Sequence, residues 1–234
     1  MKDGGSFHKH KNSTLIVITF TFFCFLFLSS KAEAESFCVG CPTAIAANCT
    51  VSTNCPAGGS GGGVCPTLDD AVTDALADMT LAAETVKIAQ GTHTGPGTAP
   101  VIDPPFGGGA LTTKTINILG GFNSTCTSRT VNAANTIIMA PGGQRVFDID
   151  AAGTETLNIT IDRVTIQNGT PGSMEDGGGI RARATGAGGS LNFTSTNNTY
   201  NTNAAPADGG GLAVIAGPGS ATALIDSNTF INNS

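Results

Sequence analysis

The chain has 234 residues and a formal net charge of −6, with 11 Lys and Arg against 17 Asp and Glu. An acidic chain without a basic cluster argues against nucleic acid as a partner. It has no Trp and one Tyr, so it offers few stacking platforms for sugar rings.

The first segment reads as an export signal. Lys2, His8, Lys9, His10 and Lys11 precede an apolar run from Leu15 to Leu28, and Ala32-Glu33-Ala34 supplies small residues for cleavage. The run is short of the roughly 20 residues a membrane span needs. Removing residues 1–34 leaves 7 basic and 15 acidic residues, so the mature charge is 7 − 15 = −8. The expected location is extracellular or on an outer-membrane surface, with no transmembrane segment after signal removal.

Residues 35–66 are rich in Cys and Gly. Six cysteines survive signal removal, Cys38, Cys41, Cys49, Cys55, Cys65 and Cys126. A small exported segment with little apolar content needs covalent staples, so disulfides are expected, and six cysteines permit about 15 pairings. Cys126 is expected to pair with one of the other five, tying this segment to an early part of the fold. Cys38-Val39-Gly40-Cys41 has the spacing of half a zinc knuckle, but no second Cys-x-x-Cys accompanies it.

A helix is predicted across 67–84, its core running from 67 to about 82. Leu68, Ala71, Val72, Ala75, Leu76 and Met79 share one face, and Thr67 with Asp70 forms a weakened capping box. Its expected role is to cap the first coil of the repeating segment beyond it, since an uncovered coil exposes apolar side chains and strand edges.

From residue 85 to 234 the chain repeats. Asp176-Gly-Gly-Gly-Ile180 recurs as Asp208-Gly-Gly-Gly-Leu212, an offset of 208 − 176 = 32, within the range of stacked repeat architectures. Two-residue alternation makes Ile180 and Leu212 equivalent inward positions, and similar steps backwards reach Phe147, Ile116 and Val86. A second series runs through Leu157–Ile161, Val164–Ile166, Leu191–Phe193 and Ala223–Ile225. Ile166, Tyr200 and Phe230 align in a further column. Each coil therefore carries at least two strands, and stacked coils bury a column of apolar side chains that none can bury alone. Asn168, Asn203 and Asn233 are candidates for a stacked amide ladder at the corners. The fold class expected is all-β: a right-handed parallel β-helix with a short N-terminal capping helix and a disulfide-rich N-terminal segment.

The pairing of Gly178-Gly179-Ile180 and Gly210-Gly211-Leu212 with Phe230-Ile231-Asn232-Asn233 resembles the repeats of polymorphic outer membrane proteins and related bacterial parallel β-helix proteins. Gly stands here where the family usually has Ala, and Tyr200 where it has Phe. The helix followed by Val86-Lys87-Ile88-Ala89-Gln90 and Gly91-Thr92-His93-Thr94 is similar to the entrance of a pectin-lyase-like β-helix. That resemblance implies a surface scaffold or a polysaccharide lyase or hydrolase.

Lyases and hydrolases of that type use aligned carboxylates on one outer strand face, either to hold calcium beside a basic residue or as an acid and base pair. The candidates are Asp148 and Asp150 with Arg181 and Arg183; the simplest alternative is ion pairing between coils. Asp162, Arg163 and Asp226 form a second set. Asp176 and Asp208 are candidates for calcium, or for capping backbone amides. His93 is the one histidine beyond the signal. Acceptor sequons at Asn48, Asn123, Asn158, Asn168, Asn192 and Asn232 are read as turn and strand residues. The expected function is an exported surface or secreted scaffold, adhesive or structural, engaging a polysaccharide or a host or partner protein. The alternatives are the lyase or hydrolase, and a truncated passenger of a larger outer-membrane protein, because Phe230–Ser234 stops inside a coil and leaves an edge for end-to-end contact.

Overall fold

The computed structural model describes residues 35–39, 64–65, 67–77, 82–96, 112–130, 132–172 and 174–234. Residues 1–34, Cys41, Cys49, Cys55, Met79 and most of 35–66 lie outside the described residues. The chain divides into two compact units, Met1–Glu33 and Ala34–Ser234, and every described residue belongs to the second.

Successive short strands stack in parallel into three sheets. Sheet A holds β1 (Glu35–Val39), β2 (Val64–Cys65), β3 (Ala83–Ala89), β5 (Thr113–Phe122), β8 (Thr156–Asp162), β11 (Ser190–Thr196) and β14 (Ser220–Asp226). Sheet B holds β4 (Gly91–Thr94), β6 (Thr136–Met139), β9 (Thr165–Gln167), β12 (Thr199–Asn201) and β15 (Thr229–Ile231). Sheet C holds β7 (Phe147–Asp150), β10 (Ile180–Ala184) and β13 (Leu212–Ala216). From β5 onward the chain visits A, then B, then C, and returns to A one strand higher. This is an all-β parallel solenoid with three strands to a coil.

The alternating pattern explains which side of each strand is buried. In sheet A, Leu157, Ile159 and Ile161 face inward on β8, and Leu191 and Phe193 lie directly above the first two on β11. In sheet C, Phe147, Ile180 and Leu212 form one column in register. Each fully buried side chain of this size contributes about 1.5 to 3 kcal/mol, and only stacking removes it from water.

The series back from Phe147 is corrected by the structure. Ile116 and Val86 belong to sheet A, where Ile116 pairs with Ile159 and Val86 with Ile118. The reason is an insertion between β5 and β6, which contains a 3-10 turn at Ala133–Asn135. Aligned outward residues Thr115 and Asn158 are 43 positions apart, whereas the next steps, to Asn192 and then Thr222, are 34 and 30. A fixed step across the long coil lands on the wrong sheet.

Helix α1 (Leu68–Ala77) starts where the capping box predicts: the Thr67 hydroxyl accepts from the Asp70 amide at 3.1 Å and donates to the Asp70 carboxylate at 2.6 Å. Leu68, Ala71, Val72 and Ala75 are buried in the same core as Phe37, Val86 and Ile88. The helix is shorter than the 67–84 expectation, since Ala83 and Glu84 already belong to β3. Glu84 must face the interior there, because the strand's parity places it with Val86 and Ile88.

Two corners of each late coil follow one rule. A residue in the left-handed region, Arg163, Asn197 or Ser227 at φ 55 to 58, precedes Val164, Asn198 and Asn228. At the other corner Asn168, Thr202 and Asn232, at φ 53 to 62, precede Gly169, Asn203 and Asn233. Asn203 and Asn233 form a ladder: the Asn203 side-chain carbonyl accepts from the Gly169 amide at 2.9 Å, and that of Asn233 accepts from the Asn203 amide at 3.0 Å. Their amide groups donate to the carbonyls of Ile166 and Tyr200. Asn168 is not part of the ladder; Gly169 holds the equivalent place, because a Cβ there would collide with the Gly178 carbonyl. The other corner repeats the device, with Asn198 bonded to Val164 and Ile161, and Asn228 bonded to Asn198 and Ser195. Each Asn thus closes the turn of the coil before it.

Thr202 sits in the left-handed region with a β-branched side chain, a conformation that costs roughly 1 to 2 kcal/mol in an L-residue. Thr202→Gly relieves it but adds unfolded-chain entropy, so a net gain of a few tenths to about 1 kcal/mol is expected in denaturant titrations. A measured loss would contradict this account of the corner.

Candidate functional site

The register of β7 with β10 brings the first candidate set together. Arg181 pairs with Asp148 and Arg183 with Asp150. Arg181 forks onto Asp148, Nε to Oδ1 at 3.0 Å and Nη2 to Oδ2 at 2.5 Å. Arg183 Nε donates to Asp150 Oδ2 at 2.8 Å, while the Thr185 amide and hydroxyl donate to Oδ1. Burial lowers the Arg181 tendency to stay charged, but the Asp148 hydrogen bond and the charges of Asp148, Glu175 and Asp150 outweigh it and raise its pKa.

The hub of this set is a residue outside the sequence-derived candidates. Arg145, fully buried, donates to Asp148 Oδ2 at 3.0 Å, to Glu175 Oε2 at 2.6 Å and to the carbonyls of Asp176 and Gly177. Its sequence signal is faint: one Arg in a Gly-rich turn before a strand. With it in place, both oxygens of Asp148 are occupied and the residue is 2% exposed. Exposed-pair energetics do not apply to such a pair, because desolvation and Coulomb attraction are both large. Asp150 is likewise buried. These carboxylates hold coils together and present no free oxygen to a substrate proton.

In the second set, Asp162 meets Arg163 at 3.3 Å and Arg129 at 2.7 Å. Asp226 lies outside it, on the strand that pairs with β11, opposite Thr196. Burial alone would raise the Asp162 carboxyl, but hydrogen bonds from Asn197, Thr196 and Arg129, with the Arg129 charge, hold it below its ordinary value. A depressed folded-state pKa contributes stability above the unfolded value, about 3.9, and loses it as pH falls through the folded value. The stability gap between the native chain and Asp162→Asn is therefore expected to narrow as pH drops below about 4. Urea midpoints at several pH values check this; a gap that widens on acidification would contradict it.

The glycine phrases are corners. Gly177 (φ +68) and Gly209 (φ +69) occupy matching left-handed turns. The amides of Gly177, Gly178, Gly179 and Ile180 donate to the carbonyls of Asp208, Gly209, Gly210 and Gly211. A Cβ on Gly178 would meet the carbonyls of Gly210 and Ala204. Asp176 Oδ1 accepts from the Asp208 amide at 3.1 Å, which is backbone capping. Among the described residues no group of three or more His, Cys, Asp and Glu is arranged to hold a metal ion. His93 Nε2 lies 2.9 Å from the Ala89 carbonyl.

Cys126 pairs with Cys38, at a Cα separation of 5.9 Å and a sequence separation of 88. The bridge joins β1 to the turn after β5, and it removes Cys38 from the zinc alternative. Cys65 is also disulfide-bonded. No helix among the described residues is long and apolar enough to cross a membrane.

No protein-family model matches the chain, and no curated protein or solved structure matches it.

Proposed function

We propose that the chain is an exported surface or secreted scaffold, adhesive or structural, built as a right-handed parallel β-helix in which α1 caps the first coil. One observation carries the reading: every basic residue from position 35 onward is engaged within the fold. Lys114 pairs with Glu84, Arg129 and Arg163 with Asp162, Arg145 and Arg181 with Asp148, and Arg183 with Asp150. Lys87 lies over the Phe122 ring at 5.8 Å. A lyase acting on acidic polysaccharide needs a cation facing its substrate, and here the cationic side chains are engaged within the fold.

Incubation with polygalacturonate and other acidic polysaccharides, with calcium present, is expected to give no cleavage. Turnover abolished by Asp148→Asn or Asp150→Asn would replace the scaffold reading with the lyase or hydrolase. Mass spectrometry of the exported chain is expected to find an N-terminus near position 35; retention of residues 1–34 would overturn the export reading.

A further inference from the structure

The outer face of sheet A carries three neighbouring rows of neutral polar residues, bordered by a fourth row of Leu119, Asp162, Thr196 and Asp226. Its outward residues form a grid in register across β5, β8 and β11: Thr113, Thr156 and Ser190; then Thr115, Asn158 and Asn192; then Asn117, Thr160 and Thr194. All nine are uncharged hydrogen-bonding residues, and all are partly or fully exposed. Ser220 and Thr222 extend the first two rows onto β14. Sheet C, by contrast, carries the ion pairs of Asp148 and Asp150 on its outer face.

Threonine favours strands, and the chain as a whole is only 12% charged, so the distinctive property of the three rows is their strict register. The middle row is also locked, because Asn158 donates to the Thr115 hydroxyl at 3.1 Å, Asn192 to Asn158 at 2.8 Å, and Thr222 to Asn192 at 2.6 Å. Parallel strands set neighbouring groups about 4.8 Å apart along the axis, and alternate residues about 6.7 Å apart along each strand. The result is a neutral grid of hydroxyl, amide and methyl groups held at fixed spacing before any ligand arrives.

A two-dimensional grid engages over its whole area with a ligand that repeats in two dimensions. Crystalline polysaccharide presents apolar sugar faces, which aromatic side chains cover, and no aromatic residue stands among the nine. A lattice of water molecules needs only the groups present, and neutral groups cost far less to remove from bulk water than charges do. We propose that this face binds ice, with the Thr, Ser and Asn grid holding the outermost ordered water layer. The inference deepens the scaffold reading by naming the ligand of its broadest face. The two fail separately, since polysaccharide cleavage would sink the scaffold and leave ice assays to judge the grid.

The test is ice-crystal shaping and inhibition of ice recrystallisation by the exported chain, beside variants with unchanged circular dichroism. Crystal shaping is expected from the native chain, with at least a tenfold higher concentration needed for Thr160→Lys or Thr194→Lys. Thr199→Lys, outside the grid on sheet B, is expected to match the native chain. A native chain that leaves ice growth at the level of an inert protein would overturn the proposal. So would grid variants that keep full activity, or binding to crystalline cellulose or chitin without binding to ice.

Discussion

Replacing Glu84 by Ala is expected to lower the unfolding free energy by about 3 to 5 kcal/mol, among the largest effects of any single substitution in this chain. Glu84 on β3 and Lys114 on β5 are both fully buried, with Lys114 Nζ 3.4 Å from Glu84 Oε1. Strand parity places them inside the solenoid beside Val86 and Ile116, where neither charge keeps its hydration. Removing the carboxylate breaks an ion pair between two fully buried side chains. The double variant Glu84→Leu with Lys114→Met removes both charges and is expected to recover most of the loss, since apolar replacement of a buried pair is often neutral or stabilising. Chemical denaturation of Glu84→Leu, Lys114→Met and the double variant gives the coupling. Additive losses would show that the pair does not act as a unit.

The second large effect is covalent. Closing a loop between Cys38 and Cys126, 88 positions apart, restricts the unfolded chain by about 4 to 5 kcal/mol in the chain-entropy account. Cys38→Ser with Cys126→Ser is expected to lose most of that stability. The damage should concentrate in the first coils, because the bridge anchors β1, which supplies Phe37 and Val39 to the core and lies between β2 and β3. Hydrogen exchange would localise it: faster exchange in β1 and β3, with β8 and β11 nearly unchanged. Equal acceleration throughout would mean that the coils unfold as one unit.

Much of this fold is legible because stacked parallel strands repeat their inward residues. Ile180 over Phe147, Leu212 over Ile180, and Phe230 over Tyr200 follow from spacing alone, and the Tyr200 and Phe230 rings stack with centroids 4.7 Å apart. The ion pairs across β7 and β10 follow from the same register. Legibility fails where coil length changes, so the insertion after β5 misplaces Ile116 and Val86. The Asn198 and Asn228 ladder has a signal, since Asn198-Thr199-Tyr200 and Asn228-Thr229-Phe230 share a frame. It is masked because the corner after the aromatic residue is richer in Asn and looks like the whole of the pattern. Lys114 and Glu84 are hidden for a different reason. Alternation in Thr113–Ile118 does point Lys114 inward, but a charge at an apolar position looks like an interruption until its partner on another coil is known. Arg145 has no periodic signal, since it lies in a turn and its importance comes from two carboxylates that approach from separate segments.

The stacking register is tested most directly by cross-linking. Thr160 on β8 and Thr194 on β11 are aligned neighbours on the outer face of sheet A, within the Cα distance of about 4.4 to 6.8 Å that a disulfide spans. The chain carrying Thr160→Cys and Thr194→Cys is expected to form that bridge under mild oxidation, as read by peptide mapping, while Thr160→Cys with Tyr200→Cys, which places the second thiol on another sheet, stays reduced. A bridge in the second variant with none in the first would contradict the three-sheet coil.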